Sequence, residues 1–115
     1  MKILVIGSRS QFTMGSIAES MLGCTSEDTL MVMGVVPVDD LVARYAYNNS
    51  MKLESYTIDT QLHGTNARYH MATKLMESAD RLVTYEQESD EFVQSIKEIA
   101  ESKGIEVISI ISKSR

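Results

Sequence analysis

Five short runs of β-forming residues alternate along this chain with longer stretches of helical period, and that alternation constrains the fold more than any other feature. The first run, Lys2-Ile3-Leu4-Val5-Ile6, is an unbroken apolar segment of the kind found in strands buried on both faces. It stops at Gly7-Ser8-Arg9-Ser10. Met14, Ile17, Ala18, Met21 and Leu22 then recur at helical spacing, which predicts a helix over roughly 12–23 closed by Gly23. Thr29 to Met33 predicts a second buried strand, terminated by Gly34. Pro37 fits a first helical turn, and Val38, Leu41, Val42, Tyr45 and Ala46 make one apolar stripe that ends at Asn48-Asn49. Leu53 to Ile58 predicts a third strand. A helix from Thr65 to Ser78 follows, with Ala67, Met71, Leu75 and Ala79 on one face, and then a fourth strand, Arg81 to Tyr85. Ser89-Asp90-Glu91 supplies a cap and dipole-matched acids to a last helix whose inner face is Phe92, Val93, Ile96, Ile99 and Ala100. Lys103-Gly104 closes that helix, and Ile105 to Ile111 predicts the fifth strand.

Strict strand–helix alternation demands crossover connections, hence parallel pairing with helices on both faces. The expected fold is α/β: a Rossmann-like three-layer sandwich with a five-stranded parallel sheet in order 3-2-1-4-5 and four flanking helices. In such a sheet the ligand crevice lies outside the carboxyl ends of the strands, beside the point where the strand order reverses.

Composition narrows the function. At 115 residues with 43% apolar and 23% charged residues, one domain over 1–115 is expected. The net charge of −5, from 11 basic and 16 acidic residues, disfavours non-specific nucleic-acid binding. One cysteine, Cys24, forms no internal disulfide, which points to a reducing, cytoplasmic compartment. Cys24 falls just past the first helix, toward the amino edge, with no basic neighbour to lower its pKa, so it is expected to be inert. No apolar run approaches the ~18 residues of a membrane span, so neither a membrane partner nor a signal peptide is expected.

Four loops build the carboxyl edge. In the first, Gly7 permits a tight turn, Ser8 and Ser10 can donate, and Arg9 offers a planar fork to a phosphate beside a helix N-terminus. A capped helix with a solvated Arg9 is the plainer alternative. In the second loop Gly34 is followed by Val35 and Val36, and Asp39 and Asp40 are either dipole-matched surface acids or acceptors for a ribose or base. The third holds Asp59, His63, Gly64, Thr65, Asn66, Arg68, Tyr69 and His70, the densest polar cluster in the chain. His63 and His70 stand seven residues apart with no nearby cysteine, so no metal is expected there. In the alternative reading His70 covers a core face and His63 is solvated. The fourth, Glu86-Gln87-Glu88, is acidic and would repel a phosphate, which directs an anionic ligand toward strands 1, 2 and 3. Tyr85 either stacks on a base or packs.

The opening Met1-Lys2-Ile3-Leu4-Val5-Ile6-Gly7-Ser8-Arg9-Ser10, with Leu41-Val42-Ala43-Arg44-Tyr45-Ala46 and Ala79-Asp80-Arg81-Leu82-Val83, resembles the SLOG superfamily. This Rossmann-like group includes the YspA/cpYpsA-related, DprA and LOG proteins. The resemblance spans nearly the whole chain and implies a nucleotide or nucleotide-derived ligand at these loops. Of the family's Gly-Gly-x-x-Gly-x-Asp second loop only Gly34 and Asp40 are kept, with Val35 and Val38 at the other glycine positions. The Pro-Gly-Gly-x-Gly-Thr-x-x-Glu signature of the phosphoribohydrolase branch is absent, which weighs against catalysis. A compact domain with such a loop is also similar to phage-encoded accessory proteins, some of which capture nucleotide signals, and to the phage modifier of host valyl-tRNA synthetase. That likeness implies the host cytoplasm as location.

Three functions remain in competition. The first is binding, and thereby sequestering, a nucleotide or ADP-ribose-like ligand through Gly7, Ser8, Arg9, Ser10, Gly34, Asp40, His63, Asn66 and Arg68, with no cofactor. The second is hydrolysis of an N-glycosidic or phosphoester bond, for which Asp40 and Asp59 are the convenient carboxylates. The third is an interaction module that modifies a host protein. A homo-oligomer is compatible with all three.

Overall fold

The computed structural model describes residues 1–7, 15, 17–18, 25, 27–33, 37–56, 67–86 and 91–111, with the backbone alone at 37–39 and 111. The elements are β1 (Lys2–Gly7), β2 (Thr29–Val32), α1 (Pro37–Asn48), β3 (Lys52–Ser55), α2 (Ala67–Met76), β4 (Arg81–Glu86), α3 (Glu91–Ser102) and β5 (Glu106–Ile111). The strands form one sheet in the order β3-β2-β1-β4-β5. All four pairings are parallel, with Ile3 opposite both Leu30 and Arg81, and Gly7 opposite Tyr85. The Rossmann-like α/β layout expected from the alternation is therefore the fold.

Period-two alternation divides the strands between two apolar layers. Ile3, Val5, Leu30, Val32, Val83 and Tyr85 pack on one face with Ile17 and with Val42 and Ala46 of α1. Leu4, Ile6, Met31, Met33 and Leu82 pack on the other with Ala72, Leu75 and Met76 of α2 and Val93, Ile96 and Ala100 of α3. β1 is central and Ile3 to Ile6 are fully buried, which explains why that run is apolar at every position.

The helix ends follow from backbone geometry. After α3, Gly104 takes a φ of 74°, and the Ile105 N–H donates to the Ala100 carbonyl at 2.9 Å. After α1, Ser50 takes a φ of 56°, and the Met51 N–H donates to the Ala46 carbonyl at 2.9 Å. Both are left-handed C-caps that satisfy carbonyls of the last turn. At the amino edge Asp28 accepts from the Thr25 N–H at 2.9 Å and pairs with the terminal ammonium of Met1 at 3.2 Å.

Several expectations need adjustment. β3 runs Lys52–Ser55 rather than Leu53 to Ile58, because its ladder ends with the four-residue β2, although the Tyr56 N–H still reaches the Val32 carbonyl at 2.9 Å. Thr57 and Ile58 lie outside the described residues. Three helices are present among those residues where four were expected. Of the predicted helix over 12–23 only Gly15, Ile17 and Ala18 are described, all helical, and Ala18 is exposed rather than on the inner stripe. In α2 the buried face is Ala67, Ala72, Leu75 and Met76, with Met71 only partly buried. Cys24 lies outside the described residues.

Candidate functional site

The strand order reverses between β1 and β4, so the carboxyl ends of these two strands flank the switch point. Gly7 ends β1, and Tyr85 opposite it is followed by Glu86, the last residue of β4. Two helix starts converge on this edge, because α2 leads into β4 and α3 leaves it.

Arg68, the second residue of α2, is held there from two further elements. Its Nη2 donates to the Gly7 carbonyl oxygen at 2.6 Å. Its guanidinium carbon lies 4.0 Å from the centroid of the Phe92 ring in the first turn of α3. The hydrogen bond to a charged donor contributes about 1.5–3 kcal/mol and the ring contact about 0.5–2 kcal/mol. The guanidinium is partly buried, so its charge is screened less than a surface charge would be. A fixed planar cation at the end of the central strand suits a carboxylate or phosphate.

Glu86 is 4% exposed and turns inward beneath α3. Lys97 Nζ lies 3.1 Å from Oε2, Gln94 donates to Oε1 at 3.2 Å, and the Thr84 hydroxyl donates to Oε2 at 2.9 Å. The Ser109 hydroxyl sits 3.2 Å from that of Thr84. Both carboxylate oxygens thus have partners and the charge is balanced by Lys97, as a buried carboxylate requires. The acidic loop expected to repel a phosphate begins at Glu86, whose own charge is matched by Lys97 within the fold. Gln87 and Glu88 lie outside the described residues. Period two was the available signal: Leu82, Thr84 and Glu86 must share the α3 face.

Tyr56, just past β3, is partly exposed, and its hydroxyl donates to the Glu54 carboxylate. That bond to a carboxylate, with burial and the nearby negative charge, raises the phenol above its ordinary value of 10.0.

Of the nine residues singled out for ligand contact, the structure brings Gly7 and Arg68 together. Asp40 stands apart, exposed in the first turn of α1 and paired with Arg44 one turn on at 3.2 Å, as a surface acid would be. Ser8, Arg9, Ser10, Gly34, His63 and Asn66 lie outside the described residues, as do Asp59, Gly64 and Thr65. His70 is exposed on α2 and does not cover a core face. Tyr85 is fully buried and packs in the core. Phe92 was expected on the inner face of α3, and its ring contact with Arg68 was not foreseen.

Among the described residues no helix is long and apolar enough to cross a membrane, and no three His, Cys, Asp or Glu side chains are grouped to hold a metal ion. No family model matches the chain, and no curated protein matches it.

Proposed function

We propose that this protein binds a phosphate-bearing, nucleotide-type ligand at the carboxyl edge of its sheet, beside the reversal in strand order. The observation that carries this reading is the Arg68 guanidinium, fixed at the end of β1 by the Gly7 carbonyl and the Phe92 ring. A preorganised cation loses little freedom when it meets an anion, so more of the contact energy appears as affinity. Its location matches the crevice that parallel sheets of this order use for nucleotides. In the sequence the same strand end continues into Ser8-Arg9-Ser10, residue types suited to phosphate. The inward pairing of Glu86 with Lys97 takes one negative charge out of the way.

The ligand role is binding rather than turnover, in line with the missing phosphoribohydrolase signature. Calorimetric titration with AMP, ADP, ADP-ribose and inorganic phosphate, followed by product analysis of the same mixtures, tests this. Saturable heat with intact ligand supports the proposal, and intact protein giving no heat with any probe overturns it. Product formation replaces binding with hydrolysis.

A further inference from the structure

The two edges of the sheet are built differently. β3, at one edge, has four residues with charges at Lys52 and Glu54, the short and charged construction that discourages pairing with another chain. β5, at the other, has six residues, and no strand lies on its outer side among the described residues. It contains no proline or lysine. Its one charge, Glu106, is at the strand start, where the Arg81 Nε of β4 holds it at 2.8 Å.

Beyond Glu106 the strand reads Val107-Ile108-Ser109-Ile110-Ile111, nearly a palindrome about Ser109. Ile108 and Ile110 share the face of the α1 layer, where both are only partly buried, and Ser109 is exposed.

We propose that β5 pairs with β5 of a second copy of this chain, antiparallel, with the two-fold axis at Ser109, giving a continuous ten-stranded sheet. An isologous interface requires a self-complementary surface, and the palindrome supplies one. Ile108 of each copy falls opposite Ile110 of the other, Val107 opposite Ile111, and Ser109 opposite itself, so the facing pairs are mostly β-branched. The charges agree with this arrangement. Antiparallel pairing sends the two Glu106 residues to opposite ends of the shared ladder, and each is already matched by its own Arg81.

A six-residue strand is about 20 Å long, so edge pairing buries on the order of several hundred Å² per copy. That is at the weak end of specific interfaces, and the dimer therefore depends on concentration. Each copy carries a charge of −5, so added salt strengthens the association.

Sedimentation velocity of the full chain over a rising concentration series tests association, and cysteine cross-linking in a Cys24→Ser background tests the register. The expected mass doubles with concentration, and the doubling is lost in Ile108→Lys. Ser109→Cys forms a disulfide dimer on mild oxidation, because directly opposed residues have Cα atoms about 4.5–5.5 Å apart. Leu53→Cys, on the opposite edge, stays monomeric. A chain that remains a monomer throughout, with no Ser109→Cys cross-link, overturns the proposal. Cross-linking at Leu53→Cys instead of Ser109→Cys overturns it equally.

Discussion

The Arg68 guanidinium donates to the carbonyl oxygen of Gly7 at 2.6 Å, joining the first turn of α2 to the end of the central strand across 61 positions of sequence. Phe92 supports the same guanidinium from α3, so three elements agree on where one cation stands. Removing it tests both its structural and its binding role. Arg68→Ala is expected to lower stability by about 2–5 kcal/mol through the lost hydrogen bond and ring contact. It should also weaken ADP or phosphate binding about ten- to hundred-fold, the equivalent of one charge-assisted contact. Arg68→Lys keeps the charge but loses the planar fork, and recovers only part of the affinity. Calorimetry on folded variants reads the difference, and unchanged affinity in Arg68→Ala would remove this residue from the site.

Arg9 offers a second, independent test of the proposed phosphate site. Arg9→Ala should leave stability nearly unchanged while costing about 1.5–3 kcal/mol of affinity for a phosphate-bearing probe. Wild-type affinity in a folded Arg9→Ala protein would leave Arg9 a solvated surface side chain.

The Glu86–Lys97 pair should behave as a buried one. Side-chain exposure is 5% for Glu86 and 19% for Lys97. Glu86→Ala strands the ammonium beneath α3 and is expected to cost about 3–5 kcal/mol. Replacing both residues, Glu86→Leu with Lys97→Met, should cost clearly less than the two single changes added together. Urea unfolding of the four proteins measures the coupling. Simple additivity would mean that solvent already screens the pair.

Asp28 gives the chain an acid-sensitive contact at its amino edge. The Thr25 N–H is the main cause that holds its carboxyl below the ordinary value of 3.8, with the Met1 ammonium and Arg81 adding to it and burial opposing. A carboxyl that ionises more readily folded than unfolded binds fewer protons in the native state, so stability rises with pH in this range. The contribution is fully present above the unfolded value and is lost as pH falls through the folded one. Asp28→Asn should cost about 1–3 kcal/mol near neutrality, and its deficit against the parent should shrink in acid. A deficit that stays constant from about pH 6 to about pH 3 would exclude this origin.

Much of the fold could be read in the sequence because burial on two faces leaves an unmistakable run. Ile3 to Ile6 admit no polar residue, and the stripes of α1 and α3 place Val42, Ala46, Val93, Ile96 and Ala100 inward as their spacing requires. β3 was less legible, since an edge strand with no buried residue has weak patterning and its end depends on where β2 stops. The site was legible only in part. Polar residue types at the strand ends pointed to the carboxyl edge, but the partners of a polar side chain are set by tertiary contacts. Arg68 with Phe92 and Glu86 with Lys97 lie 24 and 11 positions apart, and no local pattern names such pairs. Asp40 shows the converse, because its partner Arg44 lies four residues on, a spacing that a local helical pattern can name.

The two left-handed helix caps form a matched experiment on backbone strain. Ser50 has a φ of 56° and Gly104 a φ of 74°, and each closes a helix through the same type of carbonyl contact. An L residue pays about 1–2 kcal/mol in this region, whereas glycine pays only the greater freedom of its unfolded state, about 0.4–1 kcal/mol. Ser50→Gly should therefore stabilise the protein by about 0.5–1 kcal/mol and raise Tm by roughly 2–4 °C. Gly104→Ala should do the reverse by a similar amount. A Cβ at Gly104 meets nothing within 4 Å, so no clash contributes and the loss is conformational strain alone. Thermal unfolding of both variants and the parent measures the two shifts. Opposite signs of comparable size are expected, and a destabilised Ser50→Gly would mean that the serine side chain stabilises its cap by more than the strain it bears.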